Sequence, residues 1–90
     1  MAILVTGKLI LKPDSRNEFI EKSIPAILLA RQNSACEDFS VSADPVDENR
    51  VNIFEKWTSK NALEVFRNTG PESDVFSLVE VFNIDEYEVT

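Results

Sequence analysis

The chain has 90 residues, with 16 Asp and Glu against 9 Lys and Arg and a net charge of −7 at neutral pH. That length makes one domain, residues 1–90, whose small core has to be helped by close packing or a second subunit. The acidic balance argues against nucleic acid and against an anionic membrane surface as partners, since both need a basic face, and no run approaches the ~18 apolar residues of a membrane span.

Cys36 is the single cysteine and there is no histidine. A disulfide within the chain is therefore excluded, and a reducing, cytoplasmic setting is expected. The N-terminus lacks a basic segment ahead of an apolar run, so no signal peptide is expected. Without histidine, Ser-His and Cys-His nucleophile systems, His-ligated haem and the usual zinc sites are ruled out. No metal or other cofactor is expected. Acid–base work falls to Asp, Glu, Lys, Tyr or Cys.

Residues 2–12, AILVTGKLILK, alternate as a strand, with Ile3, Val5, Gly7, Leu9 and Leu11 on one face. Its other face, Leu4, Thr6, Lys8 and Ile10, is also largely apolar, so both faces should be covered. Ser15 with Glu18 three residues on predicts a capping box opening a helix. Ile20, Ile24, Ile27 and Leu28 follow at helical spacing, and Pro25 should kink or split that helix near Ser23.

Residues 36–44 alternate as a second strand with Phe39, Val41 and Ala43 on one face, and 44–50 read as a polar hairpin loop. The third strand is VNIFEKWT, 51–58. Its period of two puts Val51, Ile53 and Trp57 on one face, and Glu55 among them. Thr58 or Ser59 caps a second helix through Arg67, with Ala62, Leu63 and Phe66 inward, and Gly70-Pro71 stops it. Residues 73–81 suit a third short helix and 82–89 a last strand.

The order β-α-β-β-α-β with helical crossovers predicts an α+β, ferredoxin-like sandwich: a four-stranded antiparallel sheet with helices on one face. The other face is left bare, and a partner's sheet is the simplest cover, so a homodimer is expected.

The run ARQNSACEDFSVSADPVDENRVNIFEKWTSKNALEVF resembles the antibiotic biosynthesis monooxygenase (ABM) domain. Arg31, Cys36, Phe39, Asp44, Pro45, Glu55, Trp57, Ala62 and Leu63 fall where that family's motifs place them, and the likeness extends over the whole chain. It implies a dimeric α/β barrel with a pocket in each subunit between helices and sheet. Its members include cofactor-independent oxygenases of phenols and quinols, haem-degrading oxygenases and an isomerase of a phosphorylated sugar.

The chain departs from the family at several places. Phe66 stands where many members have histidine and Ala35 where glycine is usual. Gly7, Phe66 and Phe76 stand near the Asn, Trp and His of the haem-degrading branch, which argues against haem degradation.

On that resemblance the expected function is a cofactor-independent monooxygenase acting on a small aromatic phenol or quinol. The alternatives are a non-catalytic small-molecule-binding or regulatory domain and a sugar-phosphate isomerase. Glu55 is the candidate base, since desolvation raises a carboxyl pKa; its structural reading is an ion pair with a nearby Lys or Arg. Gly7 would be either a pocket floor or the site of a bulge or a close helix crossing. Trp57, Phe66, Phe39 and Phe76 are candidate walls for a flat substrate, although such aromatics are more often core. Arg31 would line the pocket, with Glu55 as one carboxylate it could pair with. An isomerase would need an anion site, for which Arg31, Arg67 and Lys8 are the available cations. Cys36 reads as a small buried hydrophobe, and the Asp44–Glu48 carboxylates as a turn.

Overall fold

The computed structural model describes residues 1–69 and 75–90. Strands β1 (Ala2–Leu11), β2 (Cys36–Ala43), β3 (Arg50–Trp57) and β4 (Val79–Val89) form one sheet in the order β2-β3-β1-β4. All neighbours are antiparallel. Helix α1 (Arg16–Gln32) joins β1 to β2, and α2 (Lys60–Thr69) follows β3. Both lie on one face of the sheet, as the ferredoxin-like arrangement requires.

The alternation read along β1 is the alternation that is buried. Ile3, Val5, Leu9 and Leu11 are each no more than 3% exposed, and Val51 and Trp57 opposite them are fully buried. Cross-strand pairing aligns these residues in rows: Ile3 with Trp57, Val5 with Glu55, Gly7 with Ile53 and Leu9 with Val51. Helix α1 adds Phe19 and Ala30 to the core, and α2 adds Leu63. At about 25 cal/mol per Å2, each such fully buried side chain contributes roughly 1.5–3 kcal/mol.

Four local expectations are corrected. The capping box does not form: Ser15 precedes α1 without a side-chain cap, and its hydroxyl turns back to donate to the Pro13 carbonyl at 3.4 Å. Asp14, at φ 62, turns the chain just before it. Helix α1 is not split at Pro25. Proline cannot donate to the carbonyl of Glu21, and nearby Ser23 donates its hydroxyl to the Phe19 carbonyl at 2.8 Å.

The third helix is a single 3-10 turn, Val75–Leu78, and β4 begins at Val79 rather than 82. The reason is pairing: β1 offers partners as far as Leu11, which pairs with Val79 across a register shift. Helix α2 is capped by Ser59, whose hydroxyl accepts from the Ala62 N–H at 3.2 Å. The Gly70-Pro71 stop lies outside the described residues.

Candidate functional site

A cavity of about 300 Å3 lies between the inner face of the sheet and the helices. Val5, Leu9, Phe39, Val41, Ile53 and Ile84 form its floor, Phe19, Ser23 and Ala26 come from α1, and Phe66 comes from α2. Phe76 and Phe82 stand at its open side, 65% and 61% exposed, with ring centroids 6.4 Å apart. The lining is mostly aliphatic and aromatic, and among the described residues the charged groups reaching it are Glu55, Arg67 and Lys22.

Glu55 is the carboxylate of this cavity. Strand alternation puts it on the inner face between Phe39 of β2 and Val5 of β1. The indole Nε1–H of Trp57 donates to Glu55 Oε1 at 2.9 Å. Burial pushes the Glu55 carboxyl above its usual range; the Trp57 hydrogen bond and the nearby Arg67 charge draw it down, and Glu86 pushes it up, with burial prevailing. The half-buried carboxyl is thereby held where it takes up a proton more readily than a surface glutamate.

Arg67 projects from the last turn of α2 and pairs with Glu86 of β4. Val5 is in register with Glu55 on one side and Glu86 on the other, so the row Phe39–Glu55–Val5–Glu86 crosses the whole sheet. Lys22 is engaged one helical turn back, with Glu18 at 3.0 Å.

The expected wall residues separate into two groups. Phe39, Phe66 and Phe76 line the cavity along with Glu55. Trp57 does not: it is fully buried beneath, 5.1 Å between ring centroids from Phe66, and acts on the cavity through its hydrogen bond to Glu55. Phe66 packs edge-on against Phe39 at 5.9 Å, so the three rings form one block.

Gly7 and Arg31 lie elsewhere. Gly7 has φ 152, and a Cβ there would sit 2.1 Å from the Asn83 carbonyl oxygen, so its glycine serves the approach of β4 to β1 and not the floor of the inner cavity. Arg31 is exposed at the end of α1, and its Nε donates to the Phe39 carbonyl at 2.9 Å instead of pairing with Glu55. Lys8 borders a hollow on the opposite face of the sheet. The three cations considered for an anion site therefore do not converge; Arg67 alone of them lines the inner cavity.

That opposite hollow, about 530 Å3, is larger but more open and polar, bordered by Ser40, Ser42, Asn52, Asn83, Asp85 and Tyr87. The inner cavity is the more enclosed and the more apolar of the two, with a half-buried carboxyl on its wall, so the chemistry is sought there. Among the described residues no group of three or more His, Cys, Asp or Glu is arranged to hold a metal ion. Asp44 in the 44–50 loop accepts from the N–H groups of Asp47 at 2.8 Å and Val46 at 3.0 Å and from Asn52 Nδ2 at 3.0 Å, which makes it a turn clamp. No helix among the described residues is long and apolar enough to cross a membrane.

Sequence reasoning named Glu55 but did not assign Arg67 or Glu86 to its surroundings. The signal was present in β4, where Phe82, Ile84 and Glu86 share one face by alternation.

Comparison with known proteins agrees with this architecture. The family model described as Antibiotic biosynthesis monooxygenase matches residues 2–81. An uncharacterized protein of Synechocystis sp. is 34% identical over 62 residues, 69% of this chain and 42% of that protein, so the match spans less than half of that relative's length. A crystal structure from Chloroflexus aurantiacus, provisionally named an antibiotic biosynthesis monooxygenase, superposes with a TM-score of 0.82 at 19% identity, covering 100% of this chain and 94% of that one. A protein from Nitrosomonas europaea with the same provisional name gives 0.82 at 12% identity, covering 99% and 98%. A conserved protein from Methanosarcina mazei gives 0.81 at 20%, covering 100% and 94%. At these identities the structures establish a shared fold.

Proposed function

The chain belongs to the antibiotic biosynthesis monooxygenase family, and from that premise we propose that it is a cofactor-independent monooxygenase of a small phenol or quinol, with Glu55 as the proton acceptor. One observation carries the reading. Glu55 is a half-buried carboxyl on the wall of a largely apolar cavity, with its pKa raised by burial and one oxygen tied to Trp57.

A phenol seated on the Phe39–Phe66 block would present its hydroxyl to Glu55. Loss of the proton makes the ring electron-rich enough to give an electron to dioxygen. Recombination of the two radicals forms a carbon–oxygen bond, and breakdown of the resulting peroxide releases water. One oxygen atom of dioxygen ends in the quinone product and the other in water. The ring C–H and the O–H supply the two hydrogens, so no outside reductant enters the balance. The protein's share is proton acceptance, orientation and exclusion of water.

The second copy of the chain belongs to the same proposal. The outer face of the sheet carries half-buried Leu4, Ile10 and Phe54 with exposed Val81 and Tyr87, a surface suited to a partner's sheet. A monomeric mass by light scattering at micromolar concentration would remove it.

The activity is tested by oxygen uptake with metal-stripped protein on small hydroquinones and naphthols, beside Glu55→Gln. Uptake above autoxidation that is lost in the variant supports an oxygenase with Glu55 as base. Uptake retained in the variant keeps the enzyme and removes Glu55 from its chemistry. No uptake from the wild type favours a binding domain of the same fold.

A further inference from the structure

We infer that Arg67 is the anion handle of the inner cavity, so that the ligand is an aromatic hydroxy acid whose carboxylate replaces that of Glu86 on the guanidinium while its hydroxyl faces Glu55. The inference rests on the cavity being the ligand site proposed above, and it narrows what the cavity takes.

Among the described residues, twelve of the sixteen that form the wall are hydrophobic in type, and the charged ones are Glu55, Arg67 and Lys22. An aromatic body suits the apolar area, but a neutral phenol would leave a guanidinium at its edge without a ligand partner. Lys22 already holds Glu18 along its own helix. Arg67 is held by a carboxylate that comes from another element, Glu86 of β4.

The Arg67–Glu86 pair lies near the surface, with side chains 46% and 35% exposed. Such pairs contribute little to stability, because water and salt compete for both charges. Glu86 can return to solvent with little loss. A ligand carboxylate fixed to a ring inside the cavity is drier than Glu86, and a guanidinium holds carboxylates by two parallel hydrogen bonds.

Glu86 now raises the Glu55 pKa and Arg67 lowers it. A ligand carboxylate seated on Arg67 substitutes one negative charge for another. The guanidinium stays neutralised, and Glu55 keeps its readiness to accept a proton. A ligand without the acid group leaves that office to Glu86 but gains nothing from Arg67.

The net charge of −7 sharpens the test. The chain as a whole repels anions, so a preference for an acid over its neutral counterpart has to come from local contact. The probes are 6-hydroxy-2-naphthoate, whose hydroxyl cannot reach its own carboxylate, and 2-naphthol, titrated calorimetrically into the full chain at near-physiological salt. The acid should bind wild type at least about tenfold more tightly than the naphthol. Arg67→Gln should abolish that advantage while leaving naphthol binding in place, and Arg67→Lys should restore part of it. Glu86→Gln should retain or enlarge it, because the competing carboxylate is gone. Circular dichroism of each variant separates lost binding from lost structure.

Equal affinity of wild type for the two probes would overturn the handle, and so would an advantage that survives Arg67→Gln. Either result leaves the cavity as a phenol site. Binding of neither probe would overturn the handle together with the reading of the cavity beneath it.

Discussion

Glu55 and Glu86 stand two strands apart on one face of the sheet, each in register with Val5. They share a row and meet opposite fates. Glu86 ends beside a guanidinium at the surface, whereas Glu55 is turned into an apolar hollow with an indole N–H on one oxygen.

The consequence for Glu55 is a dependence of stability on pH. Its folded-state pKa lies above the ordinary 4.5, so between the two values the folded chain keeps a proton that the unfolded chain has released. Stability from this group therefore falls as pH rises from the ordinary value through the folded one, and then levels. Glu55→Gln lacks that loss. The variant should gain on the wild type across this window, by urea unfolding at a series of pH values. A difference independent of pH would show that Glu55 titrates as a surface group.

Asp44 behaves with the opposite sign. The Asp47 N–H, the Asn52 amide and the Val46 N–H hold its carboxyl down to about 2, from an ordinary 3.8. Its contribution is present above the ordinary value and is lost as pH falls through about 2. Asp44→Asn should lower the melting temperature at neutral pH and approach the wild type at the acid end of the range. A deficit that persists there would mean that packing, not charge, is what the substitution disturbs.

Gly7→Ala should destabilise the fold by at least about 2 kcal/mol in chemical denaturation. Two causes add: the backbone angle of 152° disfavours any side chain, and the new Cβ would press on the Asn83 carbonyl and the Ile84 Cα of β4. Neither neighbour is a flexible side-chain tip that could move aside. A variant as stable as the wild type would show that β1 and β4 can part at this point without cost.

Cys36 should react slowly with iodoacetamide compared with free cysteine at the same pH. Burial raises its thiol pKa, and the Glu55 and Asp38 charges raise it further, against the Asp38 backbone contact and the Arg31 charge. Its Sγ–H donates to the Asp38 carbonyl at 3.3 Å. Alkylation as fast as the free amino acid would contradict this ordering of effects.

Much of the fold was legible because it depends on alternation. The inward set of β1, the inward place of Glu55 and the burial of Leu63 all follow from a period of two or of 3.6. What escaped was set by partners distant in sequence. Val79 enters β4 because Leu11 pairs with it, and no local pattern announces that. Ser15 has the residue type of a cap, but its hydroxyl had a competing carbonyl two residues back. Pro25 was expected to kink or split α1, and the helix is not split there. The ion pair beside Glu55 escaped for a further reason: residues 85–88 look like a solvated strand end, and only the β1–β4 register sends Glu86 under Arg67.

The order β2-β3-β1-β4 leaves β2 and β4 as the two open margins of the sheet. Both carry acidic residues and no basic ones: Glu37 and Asp38 on β2, Glu80, Asp85, Glu86 and Glu88 on β4. Two copies meeting margin to margin would therefore bring like charges together at the start of β2 and toward the end of β4, which opposes the stacking of chains into extended cross-strand polymers. The protection is electrostatic and lasts only while those carboxylates are ionised and unscreened, so acid or concentrated salt would leave the exposed backbone of both margins free to recruit other chains.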